Sequence, residues 1–175
     1  MTIPGLSNSA EPTSAASTDT LIITDFVSGK RDLGWYVQND NVMGGRSEGG
    51  FDTSKQGELI FAGSTNTNGG GFSSIRTSPF KEDLANYDGI QIRVMGDGRR
   101  YTWQLQTTAL YRRYRISYWA EFDTTAGEWT TVNIPFSDFY PQVRGYKLDG
   151  PALDTSDITE LGLYIYDKKD GAFTL

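Results

Sequence analysis

The side chains able to do chemistry here are few in kind. Histidine and cysteine are both absent from the 175 residues. That removes Ser-His-Asp and Cys-His catalysis, His- or thiolate-bound zinc, disulfides and the usual base near neutral pH. Carboxylates remain, Asp97, Glu121, Asp123 and Asp138 among them. Two carboxyl groups about 5–10 Å apart can hydrolyse a glycosidic bond, but no spacing in this sequence selects a pair. No cofactor motif accompanies them. The expectation is a protein that is not an enzyme.

The densest polar stretch is NDNVMGGRSEG, Asn39 to Gly49. A phosphate loop would need GxxxxGK[ST] between a strand and a helix, so that backbone N–H groups face the anion. GGRSEGGFDTSKQGE has neither the spacing nor a helix pattern after it. Asn39, Asp40 and Asn41 carry oxygens of the kind calcium prefers, without the EF-hand pattern. A structural calcium built from separate loops leaves no linear signature and stays open; no other cofactor is expected. On residues alone the favoured reading is a tight turn. Gly44 and Gly45 allow positive φ at a bulge or turn, with Val42 and Met43 in core or edge packing.

Such residues must be positioned by strands. Short β-branched and aromatic runs alternate with turn residues along the chain. In GIQIRVMGDGR, Ile90, Ile92 and Val94 share one face, with Gln91 and Arg93 on the other. Tyr101, Trp103 and Leu105 are in phase, opposite Thr102, Gln104 and Gln106. Tyr114, Ile116, Tyr118, Ala120 and Phe122 are in phase further on. TLIITDF, GELIFAGST, EWTTVNIPF, ELGLYIYD and GAFTL read as strands too. Helix signal is limited to single turns in SPFKEDLANYDG and PFSDFYP. The fold class is all-β, a sandwich or barrel. Residues 1–19, rich in Ser, Thr, Ala and Pro, read as a flexible tail without secretory or transit character. Residues 20–175 read as one domain. At the end, either a short strand closes the fold or the natural chain continues.

The net charge of −6 makes nucleic acid an unlikely partner. Against it stands a local cluster, Arg99, Arg100, Arg112, Arg113 and Arg115, interleaved with aromatics. No stretch approaches the roughly 20 apolar residues of a membrane span. The expected place is the cytoplasm, with peripheral association at a membrane left open.

GWYVQNDNVMGGRSEG resembles the opening signature of the complex I intermediate-associated protein 30 family. NGGGFSSIRT, YDGIQIRVMGDGRRY, GEWTTVNIPFSDFYPQVRG and ELGLYIYDKKDGAFTL are similar to four later segments of that family, in the same order. The resemblance spans Leu21 to Leu175. It implies a galactose-binding-domain-like β-sandwich of jelly-roll type and no established catalytic activity. It also implies assembly or stability work on a membrane redox or photosynthetic complex, with protein subunits as partners. Mitochondrial members of the family act on respiratory complex I. This chain shows no organelle presequence, so a mitochondrial place is not carried over. The resemblance marks Asn39, Asp40, Gly44, Gly45, Ser47, Arg76, Asp97 and Arg144 as motif residues. The loop is expected to present Asn39, Asp40, Arg46 and Ser47, and an Arg–Asp pair among Arg76, Asp97 and Arg144 is expected to stitch loops together.

For binding, alternation picks out Gln104, Gln106, Arg113, Arg115 and Trp119 as one polar strand face. Amide and guanidinium groups beside an aromatic ring suit a protein partner or a glycan. The bland alternative is that Trp119 caps the core and the arginines pair on a solvated face.

Overall fold

The computed structural model describes residues 20–27 and 31–175. The tail expected over 1–19 lies outside the described residues. The strands are β1 (Tyr36–Asn39), β2 (Glu48–Thr53), β3 (Leu59–Thr65), β4 (Ser73–Arg76), β5 (Gly89–Met95) and β6 (Arg100–Tyr111). Then follow β7 (Tyr114–Asp123), β8 (Trp129–Pro135), β9 (Tyr140–Val143), β10 (Tyr146–Lys147), β11 (Glu160–Ile165) and β12 (Gly171–Thr174). Single 3-10 turns occupy Asp40–Met43 and Phe136–Asp138.

One sheet has seven strands in the order β1-β4-β11-β6-β7-β9-β10. The facing strands are β12-β3-β2 and the pair β5-β8. Each pairing within these sheets is antiparallel. Between them lies one apolar cluster. Phe61 and Phe173 meet there at 4.8 Å between ring centroids. Ile90 and Ile134 from the short pair join Ile75, Leu105, Ile116, Tyr118 and Leu163 from the large sheet. This is an all-β sandwich of jelly-roll type, as the resemblance implied; alternation had left sandwich and barrel both open.

Period-two patterning places the inner residues correctly. Ile116, Tyr118, Ala120 and Phe122 are buried while Arg115, Glu121 and Asp123 face out. GAFTL forms the last strand, and Leu175 exchanges backbone hydrogen bonds of 2.8 and 2.9 Å with Phe61.

Three expectations need correction. Thr20–Phe26 forms no strand despite its β-branched run. Phe26 has a φ of 56°, which breaks the extended path, and the segment contributes Ile23 to the core edge without a ladder. Second, β2 was hidden by its glycines. A side chain on Gly49 would strike Ser73 and the Phe173 ring, so that position is small because two layers close on it, whereas Gly50 faces open space. Third, Thr102 and Gln104, expected on a polar outer face, are buried like their inward neighbours. The outer face of β6 is itself roofed by aromatic side chains from β7 and β11.

Candidate functional site

The glycine-pair loop is organised around one carboxylate. Asp40 is fully buried. Its Oδ1 accepts from the Ser47 N–H at 2.9 Å, and its Oδ2 accepts from the Ser47 hydroxyl and the Gly71 N–H, both at 2.6 Å. The Phe72 N–H donates to Oδ2 at 3.2 Å. Burial is the largest influence on this carboxyl and pushes its pKa up. The hydroxyl and backbone donors outweigh it and hold the group below the usual carboxylate range. Gly45 and Gly70 lie against the same carboxyl, where an added Cβ would overlap Asp40 atoms. Gly44, at φ 84°, supplies the left-handed turn. Asn39 joins the knot by accepting from the Ser73 hydroxyl at 2.6 Å and donating to the Gly49 carbonyl at 3.1 Å.

The turn reading therefore matches the geometry at Gly44, whereas Gly45 takes no positive φ and is small because Asp40 fills the space of a side chain there; two further details differ. Asp40 and Ser47 are not presented to a partner; they point inward and tie two loops together. Val42 and Met43 do not pack; they are 63% and 66% exposed. Among the described residues no three acidic side chains gather as a metal cage, and the Asp40 oxygens are taken by N–H and O–H donors.

The outer face of the large sheet is built by register. Arg76, Gly162, Gln104, Trp119 and Tyr140 lie in one row across β4, β11, β6, β7 and β9. Gly162 leaves space that Gln104 and Tyr164 fill; a Cβ there would sit 3.1 Å from the Tyr164 ring and 3.2 Å from Gln104 Nε2. Trp119 Nε1 donates to Gln104 Oε1 at 3.0 Å. Gln104 Nε2 has no hydrogen-bond partner among the described residues. The Trp119 ring lies 5.1 Å from Tyr164 and 5.9 Å from Tyr166.

Beside this aromatic group opens a hollow of about 440 Å³, lined by Trp119, Glu121, Tyr140, Gln142, Tyr166 and Lys168 among others. Tyr140 donates to Glu121 Oε1 at 2.5 Å. Burial and then that bond push the Tyr140 phenol well above its ordinary value. Burial likewise pushes Tyr164 up to about 12, against the lowering effect of Arg76. Lys147 stands 4.5 Å over the Tyr140 ring and Lys168 3.4 Å over the Tyr166 ring. The hollow thus offers aromatic faces, a carboxylate and amines.

The structure separates the residues that alternation grouped. Trp119 is half-buried and reaches the hollow. Gln104, at 1% exposure, lies beneath it and cannot touch a ligand directly. Gln106 donates to the Ser117 hydroxyl at 3.0 Å. Arg115 pairs with Glu160 at 2.8 Å. Arg113 is off the strand face: it sits in the tip between β6 and β7, its guanidinium 5.5 Å from the Tyr114 ring. The expected Arg–Asp pair does not form. Arg76 lies 5.0 Å over the Tyr164 ring, Arg144 lies 4.1 Å over Tyr114, and Asp97 accepts from the Tyr101 hydroxyl and the N–H groups of Arg99 and Thr174.

The loop-stitching pair is Arg99–Asp167, at 2.6 Å and almost wholly covered. Arg99 also donates to Thr65, Lys169, Gly171 and Ala172. Sequence reading had placed it in a basic cluster. The GDGR motif was the one available signal that this arginine differs from its neighbours. Tyr140 and Tyr166, which line the hollow, and Tyr164, which backs Trp119 from beneath, were missed because their roles depend on cross-strand neighbours.

Fold and face together define a galactose-binding-domain-like jelly roll with an aromatic hollow on its large sheet. The chain belongs to the Complex I intermediate-associated protein 30 family, whose profile matches residues 24–175. It is 29% identical over 168 residues to the mitochondrial Complex I intermediate-associated protein 30 of Mus musculus, covering 83% of this chain and 51% of that protein. The counterpart from Drosophila melanogaster is 28% identical over 163 residues, covering 81% and 55%. The chain spans about half the length of these relatives. Among solved structures, the family 11 carbohydrate-binding module of a cellulosomal cellulase of Clostridium thermocellum superposes with a TM-score of 0.65 at 17% identity, covering 91% and 92% of the two chains. That module in complex with a β-1,3-1,4-mixed-linked tetrasaccharide gives 0.61 at 18% identity, covering 86% and 88%. At such identities the likeness is one of fold.

Proposed function

We propose that the protein is a non-catalytic binding factor that assists the assembly or stability of a membrane-associated redox or photosynthetic complex by holding its protein subunits. The observation that carries this reading is family membership across residues 24–175, with relatives named for association with a complex I intermediate. The site chemistry is consistent with it: histidine and cysteine are absent, and the hollow pairs its carboxylate with a phenol. Among the described residues no helix is long and apolar enough to cross a membrane. The proposed place of action is the cytoplasm or a membrane face.

The test is capture of the tagged protein from its native cells in mild detergent, with mass spectrometry of what is retained. Trp119→Ala and Arg115→Ala variants with unchanged melting temperature run beside it. The expected result is a set of subunits from one complex, reduced in the variants. Recovery of no stable partner overturns the reading.

One observation favours a second reading, a carbohydrate-binding module. Trp119, Tyr140 and Tyr166 border one hollow with Glu121 and Gln142, a set suited to stacking on sugar rings and bonding hydroxyls. Titration with a panel of soluble glycans, read by tryptophan fluorescence, tests it. A saturable change lost in Tyr140→Ala supports it, and no change across the panel removes it.

A further inference from the structure

Two loop tips stand at one end of the large sheet. The β6–β7 tip carries Leu110, Tyr111, Arg112 and Arg113, and the β9–β10 tip carries Arg144 and Tyr146. They meet where the Arg144 guanidinium lies 4.1 Å over Tyr114, whose other neighbour is Arg113 at 5.5 Å. Arg112 lies 5.6 Å from the Tyr111 ring. All three arginines are exposed, and none has a carboxylate within ion-pair distance among the described residues. Glu160 pairs with Arg115 and Asp157 accepts from Thr108, while Asp149, three residues beyond Tyr146, is exposed and forms no ion pair with the tip arginines. The chain as a whole carries −6, so this end is a cationic patch on an acidic body.

Backbone conformation adds an independent observation. Arg112 and Arg144 take φ values of 57° and 52°, in the left-handed region where glycine is favoured. Both tips thus hold an arginine at the strained position of the turn. Tight hairpin turns call for positive φ, and glycine would meet that demand without a side chain, so at both tips the guanidinium sits where the turn alone does not require it.

Apolar exposure decides the kind of partner. Leu110 is 58% exposed and Tyr146 77%, on projecting tips between the arginines rather than in a groove. Tyrosine rings and a leucine standing beside unpaired guanidiniums suit an interface where phosphates lie above hydrocarbon. The acidic body would be repelled by the same surface, which orients the molecule with this end down.

We infer that the β6–β7 and β9–β10 tips form a docking surface for an anionic lipid bilayer. This goes beyond the assembly reading and stands without it, since vesicle binding is measured with no client present. The experiment is flotation of the full chain with vesicles of phosphatidylcholine alone or mixed with phosphatidylglycerol. The expected result is binding to the mixed vesicles only, weakened by added salt. Arg112→Gly and Arg144→Gly remove charge while easing the backbone, so the variants fold. Each should weaken binding about 5-fold and the pair about 30-fold, from roughly one charge contact per arginine. A Leu110→Ser variant should weaken it as well. Equal binding to both vesicle types, or wild-type binding by the double glycine variant, overturns the inference. So does failure to bind any vesicle while a polyglutamate column retains the wild type and releases the variant, which would assign the patch to an acidic protein segment.

Discussion

The carboxyl of Asp40 occupies the space a side chain on Gly45 would need, and the same carboxyl accepts the backbone N–H of Gly71 across the loop at 2.6 Å. The two positions are coupled. Asp40→Ala strips the acceptor from four donors, the N–H groups of Ser47, Gly71 and Phe72 and the Ser47 hydroxyl. Its expected cost is about 3 kcal/mol or more, since buried donors left unpaired cost about 1–3 kcal/mol each. Gly45→Ala should destabilise comparably by forcing the carboxyl away. Urea denaturation of both single variants and the double should give a double-variant cost below the sum, because the clash partner is gone. Strict additivity would show that the two residues act separately.

Acid should weaken the fold through specific carboxylates. Asp40 and Asp167 both have folded pKa values below the ordinary range. For each, burial is the largest influence and raises the pKa, and for Asp167 the bond and charge of Arg99 outweigh it. The unfolded chain takes up these protons first, near a pKa of about 3.9. The stabilisation is therefore complete above that value and lost as pH falls through the lower folded values. The urea midpoint should lose this contribution below about pH 4, and Asp167→Asn should make the acid slope shallower. An unchanged slope in that variant would exclude Asp167 as a source.

Arg99→Lys keeps the charge and loses the planar fork. Arg99 grips Asp167 through two nitrogens, at 2.9 and 2.6 Å, and reaches the Gly171 and Ala172 carbonyls at 3.0 Å. An ammonium cannot serve all of these at once. The expected loss is about 2–3 kcal/mol, the range for hydrogen bonds to charged groups. Amide exchange should rise first in β12. Uniform exchange across both layers would show that Arg99 does not hold that strand in particular.

The tip arginines make the opposite prediction. Arg112→Gly removes a left-handed strain of about 1 kcal/mol but adds unfolded-state entropy of similar size. Its melting temperature should stay close to wild type. Arg144→Gly gives up a closer ring contact, at 4.1 Å from Tyr114 against 5.6 Å between Arg112 and Tyr111; such contacts are worth about 0.5–1 kcal/mol at exposed sites, so Arg144→Gly should be slightly less stable than Arg112→Gly. A large loss in either would mean the tip side chains support the fold.

Inner strand faces were legible because Ile116, Tyr118 and Phe122 obey a period set by the backbone alone. Outer faces were not, because exposure there depends on neighbours. Gln104 is buried by Trp119 and Tyr164, brought over it by two different ladders. Arg99 looked like one member of a basic cluster because its partner Asp167 is remote in sequence. Asp40 was picked as a motif residue, but its inward direction followed from glycines whose missing side chains leave room for it. β2 stayed hidden because Gly49 and Gly50 interrupt the apolar pattern that marks a strand.

β11 lies between β4 and β6, in the interior of the seven-stranded sheet, and β12 completes the opposite layer against β3. During synthesis, therefore, β4 and β6 leave the ribosome long before the strand that joins them. At about 5–20 residues per second, the nascent chain holds open strand edges and an uncovered core for several seconds. Stalling or premature termination ahead of Glu160 would leave a sticky, unclosed polypeptide. The apolar faces of β4 and β6 would then stay open to other chains until β11 and β12 emerge.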